Sequence, residues 1–142
     1  MKILRVTNQS MMDETYKVRF DVFVHEQHVP KELELDEYDD QAIHVIALNE
    51  QDEVVGCGRL ILNASSAKIG RVAVRKEYRK LHFGKAICEE LIRIAQSENI
   101  QKITLGAQLS AVEFYKKLGF TEYGTVYMDA NIKHIHMVYS GV

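Results

Sequence analysis

Residues 75–86, RKEYRKLHFGKA, join a strand-like run at residues 68–74 to an amphipathic helix predicted over residues 84–97. Four side chains of basic type crowd the start of this helix: Arg79, Lys80, His82 and Lys85. A helix N-terminus carries about half a positive charge, so cations there are unfavourable unless an anion is bound. Its free backbone N–H groups form an anion site, and Gly84 lets a ligand approach the main chain. The join is therefore predicted to hold a phosphate-bearing cofactor.

Two widespread phosphate-binding motifs do not fit these residues. The Walker pattern Gly-x-x-x-x-Gly-Lys-Ser/Thr ends in a hydroxyl that binds magnesium. Here Arg79 replaces its first glycine and Ala86 replaces the hydroxyl residue. A dinucleotide-binding fingerprint needs three glycines, of which only Gly84 is present. The sequence therefore excludes both motifs at this join.

Two segments resemble motifs of one enzyme superfamily. Residues 79–84, RKLHFG, resemble the Arg/Gln-x-x-Gly-x-Gly/Ala loop of the GCN5-related N-acetyltransferases (GNAT), with His82 at the first glycine. In that superfamily the loop holds the pyrophosphate of acetyl-coenzyme A. Residues 111–120, AVEFYKKLGF, resemble its Ala-x-x-Phe-Tyr-x-Lys-x-Gly-Phe signature. Residues 19–27 and 34–44 are similar to a bacterial subgroup, the YjcF/ElaA-like acetyltransferases, so that the resemblance covers nearly the whole chain.

Hydrophobic patterning predicts the element order β-α-β-β-β-α-β-α-β-β, an α/β fold with a mixed sheet and helices on its faces. Strands are predicted at residues 2–7, 43–48, 54–62, 68–74, 102–105, 120–129 and 133–139. Helices are predicted at residues 10–26, 84–97 and 110–118, all within a single domain spanning residues 1–142. The resemblance implies the GNAT acyl-coenzyme A N-acyltransferase fold, whose central sheet splays between the strands at 68–74 and 102–105.

Local signals predict where the helices begin and end. Ser10 is predicted to cap the first helix. The aromatic stripe of this helix, Tyr16, Phe20 and Phe23, is expected to face the core. Ser110 and Glu113 are predicted to form a capping box at the start of the last helix. Gly119 is predicted to end that helix.

Composition and charge limit the function classes. The net charge of −2 argues against a nucleic-acid partner bound by bulk electrostatics. Cys57 and Cys88 are isolated, which is typical of reduced thiols in a cytoplasmic protein. The sequence contains no run of about 18 apolar residues that would span a membrane and no signal peptide. His134 and His136 share a strand face and could be two metal ligands, but no third ligand is nearby, so no metal is predicted.

The resemblance implies which residues bind the cofactor. These are Arg71, Val72, Ala73, Val74, Arg79, Lys80, Leu81, His82, Phe83, Gly84, Lys85, Gln108, Phe114, Tyr115 and Lys117. Backbone N–H groups of residues 71–74 are expected to bind the pantetheine arm and stabilise the oxyanion. Gln108 stands where many members carry an asparagine that contacts pantetheine. Tyr115 stands where the family tyrosine protonates the departing thiolate.

The general base is left open between several candidates. Some family members carry a glutamate on the strand before the loop, but Lys68 stands at that position here. Glu26, Glu34 and His44 are the candidates, acting directly or through water, and deprotonation by bulk solvent is a further alternative. The acidic run around Glu34 is also typical of a solvated loop, and His44 of a structural histidine. Cys57 is expected to pack under the sheet.

The predicted function is transfer of an acetyl group from acetyl-coenzyme A to a primary amine, by direct attack in a ternary complex. A small metabolite such as an amino acid is the predicted acceptor, because carboxylates in residues 26–36 would attract a cationic amine. The alternatives are a protein lysine or N-terminus as acceptor, or a non-catalytic module that binds acyl-coenzyme A. Neither a nucleic acid nor a membrane is a predicted partner, and a homodimer is left open.

Overall fold

Seven strands form one mixed sheet in the computed structural model, which describes residues 1–141. The strands are β1 (Lys2–Arg5), β2 (Ile43–Leu48), β3 (Val54–Asn63), β4 (Ser66–Val74), β5 (Lys102–Gln108), β6 (Phe120–Asp129) and β7 (Ile132–Tyr139). They lie in the order β1-β2-β3-β4-β5-β7-β6. Only the β4–β5 pair is parallel, and its crossover connection contains a helix. The predicted mixed α/β sheet is confirmed.

Residues 1–141 contain four α-helices. They are α1 (Gln9–Arg19), α2 (Lys31–Glu34), α3 (Phe83–Ser97) and α4 (Val112–Lys117), and α1 continues as a π-helix over Phe20–Glu26. Short 3-10 turns at Lys76–Tyr78 and Leu109–Ala111 precede α3 and α4. No helix within residues 1–141 is long and apolar enough to span a membrane.

The start and the buried face of α1 differ from the prediction. Asn8, not Ser10, caps the helix, and its side-chain oxygen accepts from the Met11 N–H at 2.9 Å. Both residue types are good caps, so the sequence does not distinguish them. The buried face carries Val18 and Arg19, while the aromatic stripe is only partly buried. The stripe therefore lines the side of the core rather than filling it.

The π-helix changes which residues the end of α1 presents to the sheet. Its Gln27 N–H donates to the Val22 carbonyl, five residues earlier, at 3.0 Å. Each π turn is wider than an α turn, and such turns occur frequently at functional sites. As a result Phe23 and Gln27 face the sheet edge where β4 ends.

The two helices α1 and α3 pack on opposite faces of the sheet. Ile87 of α3 approaches β3 so closely that a Cβ on Gly58 would lie 2.7 Å from its side chain. Glycine at this position allows the helix to pack directly on the strand. On the other face, Val18 and Val22 pack against Cys57 and Ala73.

The capping box predicted for the last helix is wrong, whereas its end is as predicted. The 3-10 turn contains Ser110, so α4 begins after Ala111 and has no side-chain cap. Gly119 has a φ of +107°, and its N–H donates to the Lys116 carbonyl at 3.0 Å. A positive φ at the residue after a helix is the conformation that glycine adopts most readily.

The sheet splits between its two parallel strands. Their pairing runs from Ser66 with Lys102 to Ile69 with Leu105 and then stops, although both strands continue. A bulge shifts the β3–β4 register here, and Arg71 within it has a φ of +50°. Bulges bend the strand that contains them. The predicted splay is confirmed, and it opens a gap at the C-terminal ends of β4 and β5.

Candidate active site

A cleft of about 940 Å³ opens at this gap. Its walls come from β4, β5, the end of the π-helix, the start of α4 and the β6–β7 hairpin. Side chains that line it include those of Gln27, Gln108, Tyr115, Tyr127 and His134. Ligands of open α/β sheets bind outside the carboxyl ends of parallel strands, so the cleft is the candidate active site.

The far end of β4 offers backbone groups to the cleft. Beyond Ile69 this strand has no partner on its β5 side. Val72 and Val74 pack toward α3, and Ala73 packs under α1, so these side chains serve the core. The predicted cofactor-binding segment at residues 71–74 therefore borders the cleft with an unpaired main-chain edge.

Arg71 directs its side chain away from that edge. Its guanidinium donates to the Glu34 carbonyl at 3.1 Å, to the Leu33 carbonyl at 3.3 Å and to Asp36 at 3.1 Å. The chain that follows α2 is thus held against the bulge of β4. The Arg71 side chain is engaged in these contacts, while its backbone lies at the cleft.

The basic loop before α3 has two residues in the left-handed conformation. Lys80 has a φ of +65° and His82 a φ of +70°. The structure thus explains why the related motif has glycine at the position of His82, since glycine adopts positive φ without steric cost. The first intrahelical bond of α3 runs from the Ala86 N–H to the His82 carbonyl at 3.0 Å. The N–H groups before Ala86 are free, as in the first turn of any helix.

Other predicted cofactor residues surround this helix start. Gly84 lies against Phe114, whose ring would be 3.4 Å from a Cβ at that position. Phe114 in turn packs edge to face on Tyr115, with ring centroids 5.0 Å apart. The side chains of Leu81, Lys85 and Lys117 are exposed, and that of Phe83 is buried. The loop, α3 and α4 therefore meet at one end of the cleft.

Arg79 and Glu26 are brought together rather than left free. Arg79 donates to both Glu26 oxygens at 2.5 Å and to the Val74 carbonyl at 2.9 Å. These hydrogen bonds hold the pKa of the Glu26 carboxyl below its usual range. A carboxylate bound in this way is a weaker base than a free one.

The acidic segment is not the solvated loop that its composition indicated. Three of its carboxylates, those of Glu34, Asp36 and Asp39, form ion pairs with arginines. The arginines are Arg19, Arg59 and Arg71, and the six side chains form one network. Arg19 lies 2.7 Å from Asp39, and Arg59 makes two contacts with Asp36 at 2.7 and 2.8 Å. A buried charge is retained only when it is paired, which gives the acidic run a structural role.

Glu34, a candidate base, belongs to this network. Its side chain is 3% exposed, and its two oxygens contact Arg19 at 2.5 Å and Arg71 at 3.3 Å. The signal that sequence reasoning missed is Arg19 and Arg59, two arginines within otherwise apolar patterns. Such arginines need carboxylate partners, which the acidic segment supplies.

The third candidate base is a structural histidine. His44 is buried in β2, and its Nε2–H donates to the Asp39 carbonyl at 2.8 Å. Burial lowers the pKa of this imidazole. Glu26, Glu34 and His44 all lie outside the lining of the cleft.

Cys57 packs between the sheet and α1, as predicted. Its side chain is completely buried against Val18 and Val22. Burial raises the pKa of its thiol to about 12. A thiol in this environment is not a nucleophile at neutral pH.

Tyr115 lines the cleft with a hydroxyl that makes no hydrogen bond within residues 1–141. Its ring packs edge to face on Phe120, with centroids 5.9 Å apart. Burial raises the pKa of this phenol far above its usual value, so it stays protonated at neutral pH. The side chain is therefore fixed in place with its proton available.

Gln108 links two walls of the cleft. Its Nε2 donates to the Gln27 Oε1 at 2.8 Å, which joins the end of β5 to the end of the π-helix. The amide groups left over on both side chains can bind polar atoms of a ligand. Sequence patterns did not indicate Gln27 as a site residue, because its contact with Gln108 joins positions 81 residues apart.

The two strand histidines stack on a tyrosine. The Tyr127 ring lies between them, 4.4 Å from His136 and 5.7 Å from His134, centroid to centroid. His134 Nδ1 lies 2.7 Å from the Ile132 carbonyl oxygen. Tyr127 and His134 line the cleft and were not among the predicted cofactor or catalytic residues.

Comparisons with known proteins agree on one family. Residues 7–140 match the family model described as an acetyltransferase (GNAT) domain. The chain is 32% identical over 139 residues to the uncharacterized N-acetyltransferase YjcF of Bacillus subtilis, covering 97% of this chain and 99% of that protein. It is 34% identical over 140 residues to the uncharacterized protein YyaT of the same organism, covering 96% and 94%.

Solved structures share the fold. Escherichia coli ElaA superposes with a TM-score of 0.88 at 24% identity, over 99% of this chain and 100% of that one. An aminoglycoside 6'-N-acetyltransferase complexed with coenzyme A superposes with a TM-score of 0.75 at 20% identity, over 97% and 96%. These similarities, together with the split sheet and the loop before α3, describe one architecture.

Proposed function

The chain belongs to the acetyltransferase (GNAT) family, and on this premise we propose that it transfers an acetyl group from acetyl-coenzyme A to a primary amine. The observation that carries the proposal is the Tyr115 hydroxyl, which lines the cleft in protonated form and without a hydrogen-bond partner within residues 1–141. Tyr115 is only partly buried, so its hydroxyl can reach a ligand in the cleft. A developing thiolate would supply a hydrogen-bond partner during the reaction.

Two features of the chain fit coenzyme A. The unpaired edge of β4 at residues 70–74 suits the pantetheine amides, which would pair with it as a short extra strand. The free N–H groups at the start of α3 suit the diphosphate. Gly84 keeps that surface open, and the exposed Lys80 and Lys85 add positive charge beside it.

Different groups of the cleft are assigned to the oxyanion and to the departing thiolate. Backbone N–H groups of the β4 edge polarise the thioester carbonyl and stabilise the oxyanion formed by direct amine attack. Tyr115 donates its proton to the departing thiolate, and such general acid help is worth about 10² to 10⁴-fold in rate. A phenol has an ordinary pKa of about 10, so Tyr115 holds its proton at neutral pH until the thiolate forms.

We also propose that the acceptor is a small metabolite amine such as an amino acid. The expected attraction rested on Glu26, Glu32, Glu34 and Asp36. Arginines pair with all of these except Glu32, which is exposed and lies outside the cleft lining, so the attraction loses most of its basis. Recognition is assigned instead to the neutral polar groups of the cleft, Gln27, Gln108 and Tyr127. The cytoplasm is the proposed location, which Cys57 and Cys88 support as buried, unbonded thiols.

Thiol release from acetyl-coenzyme A tests the proposal. The amine panel contains glycine, L-lysine, spermidine and tyramine, with a lysine-containing peptide for the protein-acceptor alternative, and mass spectrometry identifies the acetylated product. Amine-dependent release that falls in Tyr115→Phe is expected. Tight binding of coenzyme A with no release above the amine-free rate would favour the non-catalytic module instead.

A further inference from the structure

The cleft contains few groups that could accept a proton from the attacking amine. Asp36 lines the cleft, but both its oxygens contact arginines. Tyr127 lines it too, yet burial raises the pKa of its phenol and keeps it protonated. Among the described residues, the imidazole and carboxylate groups that remain in the lining are those of His134 and Asp129.

Strand pairing places His134 beside the gap between the ends of β4 and β5. It lies opposite Gln108 of β5 on one side and opposite Tyr127 of β6 on the other. Directly opposed residues of neighbouring strands point to the same face of a sheet. The imidazole is therefore on the face where Gln108 and Gln27 border the cleft.

The hydrogen bond of His134 determines which ring nitrogen is free. A carbonyl oxygen only accepts, so Nδ1, 2.7 Å from the Ile132 carbonyl, carries the proton in the neutral ring. Nε2 is then the unprotonated nitrogen. Stacking on Tyr127 at an interplanar angle of 27° holds the ring plane. The imidazole is thus both oriented and in the tautomer that a base requires.

We propose that His134 is the general base of the acetyl transfer, an inference that rests on the proposed function. His134 Nε2 takes one proton from the acceptor ammonium, directly or through one water, and passes it to solvent. The freed nitrogen lone pair forms the C–N bond to the thioester carbonyl carbon. When the C–S bond breaks, Tyr115 protonates the sulfur, and the second proton lost from nitrogen returns Tyr115 to its hydroxyl form. One proton in total leaves to solvent.

Asp129 is the rival group and lies farther from the gap. It pairs with Ile132, two residues beyond His134 toward the hairpin turn, and its side chain is exposed. His136 is a suitable comparison, because it lies on the same strand face and stacks on the same Tyr127 but is outside the cleft lining. These two residues supply the controls.

The experiment compares His134→Asn with His136→Asn, using the panel amine that the wild type acetylates fastest. Asparagine at position 134 keeps an N–H donor near the Ile132 carbonyl and removes Nε2, so the fold and coenzyme A affinity should be retained. The kcat of His134→Asn should fall by about 10²-fold, and His136→Asn should stay near the wild-type rate. Imidazole added to His134→Ala should restore part of the lost rate, which a purely structural histidine would not allow.

Each contrary result has a distinct meaning. Wild-type rates in His134→Asn, or a loss of rate without imidazole rescue in His134→Ala, would overturn the assignment. A larger loss in Asp129→Asn than in His134→Asn would overturn it in favour of the carboxylate. A wild type that releases no thiol with any panel amine would instead overturn the proposed function, and this inference with it.

Discussion

Arg79 donates to both carboxylate oxygens of Glu26, at 2.5 Å each. The contact joins the loop before α3 to the end of the π-helix, two segments 53 residues apart in the chain. Both residues were candidates for separate roles, one at the cofactor and one as a base. Their pairing gives them a shared structural role, which is to tie the loop before α3 to the end of the π-helix.

Glu26→Gln should retain most of the wild-type kcat. The carboxylate is occupied by Arg79 and lies outside the cleft lining, so its removal takes no base from the reaction. Because the pair is partly exposed, the free energy of unfolding should fall by only about 0–1 kcal/mol. Steady-state kinetics and urea unfolding measure both quantities. A kcat lower by about 10²-fold would return Glu26 to the catalytic candidates.

Gly84→Glu should abolish most of the affinity for coenzyme A. The substitution adds bulk and a negative charge where the diphosphate is proposed to bind. Gly84→Ala is the matched control, since its Cβ would lie 3.4 Å from Phe114, an ordinary contact distance. Isothermal titration calorimetry with coenzyme A compares the two. If a folded Gly84→Glu protein bound coenzyme A as tightly as Gly84→Ala, the diphosphate would have to bind elsewhere than at the start of α3.

Tyr115→Phe should lower kcat by about 10²-fold and leave coenzyme A affinity close to that of the wild type. The phenylalanine ring keeps the edge-to-face contacts with Phe114 and Phe120 but has no proton to donate. Single-turnover thiol release and calorimetry separate the two effects. A variant with the full rate would leave Tyr115 as a packing residue only.

His82→Gly should raise the free energy of unfolding by about 0–1.5 kcal/mol. Relief of a left-handed residue is worth about 1–2 kcal/mol, while the extra flexibility of an unfolded glycine costs about 0.5–1 kcal/mol. The main chain already has the conformation that glycine adopts at this position, with a φ of +70°. Coenzyme A affinity should therefore stay the same. A much tighter complex would mean that the imidazole obstructs the site.

Asp39→Asn should destabilise the protein by about 3 kcal/mol, because it leaves Arg19 and Arg59 with buried, uncompensated charge. Asp40→Asn, one residue away and exposed, is the control. Burial alone would raise the pKa of Asp39, but hydrogen bonds from Arg19 and Arg59 outweigh it and hold that pKa below its ordinary value of 3.8.

The lowered pKa of Asp39 sets the direction of the pH dependence. Its stabilising contribution is complete above the unfolded value near 3.8 and is lost as the pH falls through the lower folded value. The wild type should therefore lose stability below about pH 4 more steeply than Asp39→Asn. Urea unfolding between neutral pH and pH 3 measures this. Parallel curves for the two proteins would contradict the role of the network.

Local signals in the sequence predicted most of the fold. The bounds of β2 and β6 agree with the prediction at both ends, since turn residues bound both strand-like runs. The cap of α1 was misassigned because Asn8 and Ser10 have nearly equal capping propensity. Propensity is the same for both residues, and only the path of the preceding chain decides between them.

The candidate site was predictable only where a motif is continuous in sequence. Tyr115 lies within such a motif, whereas the contact of Gln27 with Gln108 and the pairing of Gln108 with His134 depend on strand order. The burial of the Glu34 carboxylate likewise requires two arginines, Arg19 and Arg71, from elements distant in the sequence. Long-range pairing of this kind leaves no periodic trace in a single sequence, so composition suggested a solvated loop instead.

The bulge of β4 has a consequence for how the cleft wall at residues 33–36 can diverge. Arg71 holds that wall mainly through the carbonyl oxygens of Leu33 and Glu34, which any residue at those positions would present. Leu33 itself is 56% exposed and lines the cleft. Its side chain can therefore be exchanged while the main chain keeps its anchor. Saturation of position 33 offers a route to redirect substrate choice without rebuilding the catalytic frame.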